Sequence, residues 1–461
     1  MKGFCFRGVL VAVALGFQFL AGAAATTNGL VVHEWGTFTA LQDERGRCLD
    51  GINTDDEPVP SFVHQLAVSS LVQTTSEVPG FLFQGAPFAY PGVTLRLETP
   101  VIYFHPGENG NAEVDVKVRF RGGLLTEYYP KPGRAEPAVD YRQAKSGINS
   151  SAEGLLEWSD LKLVEGAKGP VTDERVWLAP RAVKAADVKS KSGEAERFLF
   201  YRGLGTGEAL LKVAQEGGRL VIRPSVPAEI KSDLRIARLW LVDIRGGQVA
   251  FRAAEGFTIP KSGADFSKTI PAGFKESDYA PANGLKLRRA LLASLKEEGL
   301  FEDEAAALLE TWKVSYFQSS GLRLFFIVPR EWTEHVLPLE IPQAEKIVRV
   351  MVGRIELVSP RQREILAEMN KFSAREVQNA AKEMGERVMK TFYPQNAKHD
   401  AQRVTNSFLA FRGRMSLEAA GVKAVPVYKK YLELGRFRHT LVKDAAANAP
   451  GLAAFVEAFR L

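Results

Sequence analysis

Val31-Val32-His33-Glu34-Trp35-Gly36-Thr37-Phe38-Thr39 is the stretch on which the reading of the fold turns. β-Branched and aromatic residues dominate it, which marks a strand. It also sets a histidine, a carboxylate and a tryptophan at consecutive positions. Side chains alternate along a strand. His33, Trp35 and Thr37 are therefore expected on one face, and Val32, Glu34 and Phe38 on the other. His33 and Glu34 should not share one site unless a bulge at Gly36 re-aims them.

On the N-terminal side of this strand, Lys2 and Arg7 precede an apolar run from Gly8 to Leu20 and the small residues Ala21-Gly22-Ala23-Ala24-Ala25. A basic start, a short apolar core and an Ala-x-Ala exit make a secretory signal. Residues 1–25 are expected to be removed, which places the protein in a secreted or periplasmic compartment. The apolar run is too short to span a bilayer comfortably. The 461 residues carry a formal charge of +6, with 46% hydrophobic and 25% charged residues. That composition fits a globular chain. The basic residues are interspersed with acids, so nucleic acid is not an expected partner. Past the leader only Cys48 remains, and one thiol cannot close an intrachain disulfide.

On the C-terminal side the pattern stays β-rich to about Arg252. Val93–His105, Val114–Phe120 and Phe198–Tyr201 carry β-formers, and hairpins turn at Glu216-Gly217-Gly218 and Arg245-Gly246-Gly247. The polar run Lys261–Asn283 reads as a linker. A helical period then brings Leu287, Leu291 and Leu295 to one face, and Ala305, Leu308, Leu309, Trp312 and Tyr316 to another. Glu302, Asp303 and Glu304 complement the dipole of that second helix. Strands follow at Gly321–Val328, ended by Pro329, and at Ile347–Val358. Ser359 and Ser373 open capping boxes, and helices include one over Ala397–Phe411. The expected class is α+β: an N-terminal antiparallel, sandwich-like β-rich domain (26–260), a linker (261–283), a small mixed α/β unit (284–358) and a helical region (359–461).

Four sets of residues could carry chemistry. Asp50, Asn53, Asp55, Asp56 and Glu57 offer oxygens for calcium, or form a solvated acidic turn, the commoner outcome for acids in loops. His33, His64 and His105 could hold zinc or iron, though no ligand-spacing motif is present. Glu98 and Glu127 are acids in apolar strands whose pKa burial would raise, and as a pair they could cleave a glycoside; salt bridges to Arg96, Arg119 or Arg121 are the plain alternative. Trp35, Tyr103, Tyr201 and Arg202, with His33, suit saccharide or peptide contacts. Gly203-Leu204-Gly205-Thr206-Gly207 leads back to a strand and is no phosphate cradle.

His33–Thr39, Glu98–Phe104, Gly122–Glu127 and Gly321–Arg330 together resemble a family of exported bacterial proteins, over about residues 30 to 360. The resemblance implies export and no particular activity. The reading is an exported soluble protein whose β-rich domain binds a saccharide or peptide. The alternatives are a hydrolase, using Glu98 and Glu127 or a metal on His33, His64 and His105, and a structural envelope protein. A divalent metal is the one cofactor these residues could hold.

Overall fold

A computed structural model describes residues 29–54, 57–66, 84–87, 89–108, 113–139, 147–261, 266–392, 421–459 and 461. The leader and the helix expected over Ala397–Phe411 lie outside the described residues.

Strand β1 covers Leu30–Gln42, β2 His64–Gln65 and β3 Leu95–His105. Next come β4 (Glu113–Arg121), β5 (Gly123–Tyr129), β6 (Arg134–Glu136) and β7 (Glu153–Val164). Helix α1 (Arg175–Arg181) precedes β8 (Asp187–Lys189), β9 (Ala195–Glu196) and β10 (Leu199–Gly205). Two hairpins follow: β11 (Leu211–Glu216) with β12 (Arg219–Pro224), and β13 (Leu234–Arg245) with β14 (Gln248–Ile259). They turn at the expected glycine pairs. Gly217, Gly218, Gly246 and Gly247 have φ of 55°, 76°, 52° and 79°, the left-handed values a two-residue hairpin loop requires.

After β15 (Lys268–Pro271) come α2 (Asn283–Glu297), α3 (Glu302–Thr311) and α4 (Lys313–Phe317). The chain re-enters the sheet as β16 (Gly321–Val328), crosses α5 (Arg330–Val336) and β17 (Leu339–Glu340), and returns as β18 (Ala344–Leu357). Helices α6 (Pro360–Met369), α7 (Ala374–Phe392), α8 (Pro426–Glu433), α9 (Arg438–Ala446) and α10 (Pro450–Phe459) complete the described chain. Both capping boxes form: Ser359 pairs with Gln362 and Ser373 with Glu376. None of the described helices is long and apolar enough to cross a membrane.

The fold is mixed α/β, with one large, mostly antiparallel sheet and helices at the C-terminal end. The sheet runs β14-β13-β16-β18-β1-β3-β10-β5-β7-β4-β17, and β11, β12 and β15 form a separate three-stranded sheet. The opening strand lies in the middle, antiparallel to β3 and parallel to β18. The segment expected as a small α/β unit of its own thus supplies two inner strands, β16 and β18, to the sheet of the first half. The pairing of Leu30–Gln42 with Ala344–Leu357 joins distant parts of the chain, and no local pattern announces such a contact.

Both faces of the sheet are covered. On one face Trp35, Tyr103, Phe200, Trp240 and Val350 pack against Leu287, Leu291 and Leu308 of α2 and α3 and against Trp312, which caps α3. On the other, Val32, Phe38, Phe104, Tyr201 and Met351 share a core with Trp332 of α5 and Tyr428, Leu441 and Phe455 of the C-terminal helices. Helix α5 touches both β18 and β4, strands six places apart, so the sheet curls around this second core.

The expected alternation of β1 is intact, because the irregularity falls on its partner. Trp35 opposes Val101 and Thr37 opposes Glu98, so Thr99 and Pro100 together face Gly36. Thr99 has φ +46°, and Pro100 brings no N–H to a ladder that skips it. Gly36 permits the approach: a Cβ there would stand 3.1 Å from the Pro100 Cα and 3.0 Å from the Met351 sulfur.

Candidate metal centre

His33 on β1 and His105 at the end of β3 lie on the same sheet face, because Val31 pairs with His105 and His33 with Tyr103. Such diagonal neighbours are within reach of long side chains. The first turn of α3 sits over them. Its Glu304 is wholly buried and divides its two oxygens between them: His33 Nδ1 stands 2.7 Å from Oε2 and His105 Nε2 2.8 Å from Oε1. The backbone N–H of Phe301 also donates to Oε2, at 2.8 Å. The Phe301 ring packs at an angle against both imidazoles, tilted toward His33 and edge-to-face with His105, with centroids 4.5 Å and 4.9 Å away. His33 is 2% exposed, whereas the His105 side chain is 16% exposed and marks the solvent side.

Burial alone would raise the Glu304 carboxyl. The hydrogen bonds from His105 and His33 outweigh it and bring the pKa down to about 2, so the carboxylate is ionised. Two imidazole nitrogens and one carboxylate are a donor set that zinc and its divalent neighbours accept. The candidate ligand atoms lie within 4.8 Å of one another. As they stand, the imidazoles are at hydrogen-bonding distance from the carboxylate. A tetrahedral ion with bonds of about 2 Å would part its ligand atoms to about 3.3 Å, so the rings would retreat by roughly half an ångström. Without an ion, the same contacts fasten the start of α3 to the sheet.

The other expected site residues are dispersed. His64 does not join the triad: its Nε2 meets Glu194 at 2.8 Å on the part-exposed β2. Trp35, Tyr103 and Tyr201 are 0% exposed and Arg202 3%, so this set forms core packing rather than a platform for sugar or peptide. Tyr103 donates to Pro180 O, and Tyr201 donates to Glu34, whose other oxygen takes Arg349 Nε at 2.6 Å. Glu34 therefore serves the face opposite to His33.

Of the expected calcium ligands, Asp50 is exposed and Asp55 lies outside the described residues. Glu57 faces Ser315 Oγ at 3.1 Å and Arg175 at 3.4 Å. Arg96 and Arg202 bond to Thr54 and to Glu57 O, so guanidinium groups back this loop.

Glu98 is 1% exposed and sits among guanidinium groups. Arg436 Nη2 is 2.9 Å, Arg96 Nη1 3.1 Å and Arg354 Nη1 4.0 Å from its oxygens. Burial raises its pKa, and the charges of Arg436, Arg96, Arg354 and Arg202 more than reverse this, to about 2. The expected upward shift is thus corrected to a downward one: burial among cations stabilises the ionised form. Arg202 donates to Thr99 Oγ1, next to Glu98 in the chain, and stands 3.6 Å from Glu127. Arg354 and Arg323 also share Glu356, at 2.5 Å and 3.2 Å.

Glu304 was legible only as a dipole complement. Its spacing to Leu308 and Thr311, both buried on the core face of α3, is the helical period that places it inward. Nothing local marks Arg354 or Arg436 as partners of Glu98. Open clefts of about 690 Å³, beside Ser320, Gly321 and Glu433, and about 510 Å³, beside Arg134 and Trp158, are lined by none of the triad residues or Glu98. Comparison with protein-family models and with curated proteins gave no match.

Proposed function

We propose that the chain is an exported protein that binds a divalent transition-metal ion through His33, His105 and Glu304. The observation that carries the reading is the convergence of three ligand-type side chains, from β1, β3 and α3, within 4.8 Å. The 16% exposure of the His105 side chain gives a short path from solvent. The bound ion would supply Lewis acidity at the sheet end.

Cleavage by a Glu98–Glu127 pair is not part of this proposal. A carboxyl held at about 2 by arginines carries no proton to donate near neutral pH. Binding of a saccharide or peptide by Trp35, Tyr103 and Tyr201 is set aside as well, because those rings face the core.

The test is elemental analysis of the purified chain after dialysis against zinc. Near one equivalent per chain is expected, falling to background in His33→Ala and in Glu304→Gln and unchanged in His64→Ala. Metal-free wild-type protein with its full thermal stability would sink the proposal.

A further inference from the structure

We infer that Phe301 is the gate through which the His33–His105–Glu304 centre exchanges its ion, an inference that rests on the metal reading above. Among the described residues Phe301 is one of the few large apolar side chains left on the surface, at 44% exposed, yet its ring contacts both imidazoles. A phenyl ring gains little from half-exposed packing. Its ring instead stands edge-to-face 4.9 Å from the part-exposed His105. Its backbone is tied to the same centre, because the Phe301 N–H donates to the Glu304 oxygen that His33 Nδ1 also meets. The chain approaches this point through Gly299, at φ +109°, where a side chain would be strained and would press on Val348 at 3.2 Å. Leu300 between them is buried. The ring can therefore swing about its own side-chain torsions while Leu300 and the Phe301 N–H stay anchored. An ion entering or leaving between the imidazoles must displace the phenyl ring; an ion already seated is held by the three ligands alone.

This separates rate from affinity. Cobalt(II) binding to the full-length chain, followed by its visible absorbance in stopped flow, gives the association rate, and a chelator chase gives the release rate. Phe301→Ala is expected to raise both by about tenfold or more while the dissociation constant moves by less than about threefold, the signature of a gate rather than a ligand. Phe301→Leu keeps the bulk and should remain near wild type. Stoichiometric binding with unchanged rates in Phe301→Ala overturns the gate and leaves the metal reading standing. Failure of the wild-type chain to bind cobalt(II) at all removes the metal reading, and the gate with it. If Phe301→Ala is poorly folded, Phe301→Val read against Phe301→Leu gives the same rate comparison.

Discussion

Two polar clusters sit inside this molecule within one strand pair of each other, and they are built in opposite ways. The first, His33, His105 and Glu304, lies at one end of β1 and β3, near solvent, and uses imidazoles. The second gathers Glu98, Arg96, Arg354 and Arg436 at the bulge near the other end of β3, fully enclosed. Imidazole can shed its proton and offer a lone pair to an ion, whereas guanidinium stays charged and offers only donors. On the proposed reading the histidine cluster holds an ion, whereas the guanidinium groups of the arginine cluster already face Glu98 and Glu356. Burial and charge density alone do not mark a functional site: the more densely charged cluster is the better reading as scaffold.

The largest expected effect breaks the arginine side of this contrast. Glu98→Gln leaves three buried guanidinium groups facing an uncharged amide, and stability should fall by about 3–5 kcal/mol in urea denaturation. A loss below about 1 kcal/mol would show that the cluster is solvated and not scaffold.

Acid gives a second, slightly smaller handle. The folded pKa of Glu98, about 2, lies below the ordinary 4.5. Its contribution is thus fully present above 4.5 and is lost as pH falls from there toward 2. The separation corresponds to roughly 3 kcal/mol. Melting temperature followed over that range should drop steeply in wild type and less steeply in Glu98→Gln; parallel curves would contradict the assignment.

Arg436→Met should cost on the order of 2 kcal/mol, since it strips one charged hydrogen bond from Glu98. Arg436 comes from the connection between α8 and α9, so amide exchange should quicken in α8–α10 before it does in β1. Smallest in stability, and sharpest in contrast, is His105→Ala. It should abolish metal uptake while costing about 1.5 kcal/mol, because the buried Glu304 loses one charged hydrogen bond but keeps His33 and the Phe301 N–H. Equal loss of uptake in His64→Ala, whose partner is Glu194, would dissolve the distinction between the histidines.

The legibility of the chain follows the range of the forces involved. Alternation along β1, the glycine pairs of both hairpins and the serine caps at Ser359 and Ser373 are set by neighbours a few residues away, and each forms as the sequence indicates. The place of β18 beside β1, and the reach of Arg436 to Glu98 across 338 residues, depend on the folded sheet and have no local counterpart. The site falls between these cases. His33 and His105 were visible as ligand types on strands, but Glu304 looked like one of three acids at a helix start. Only its position four residues before Leu308 told that it faces inward. The aromatic set was read from residue type, and residue type alone does not separate a core ring from a ligand-facing one.

The most direct test of the central claim is X-ray absorption at the zinc edge on the zinc-loaded, full-length protein. The account predicts a light-atom shell showing two imidazoles and a carboxylate oxygen, unchanged in His64→Ala. A shell without imidazoles, or one containing sulfur from Cys48, would contradict it.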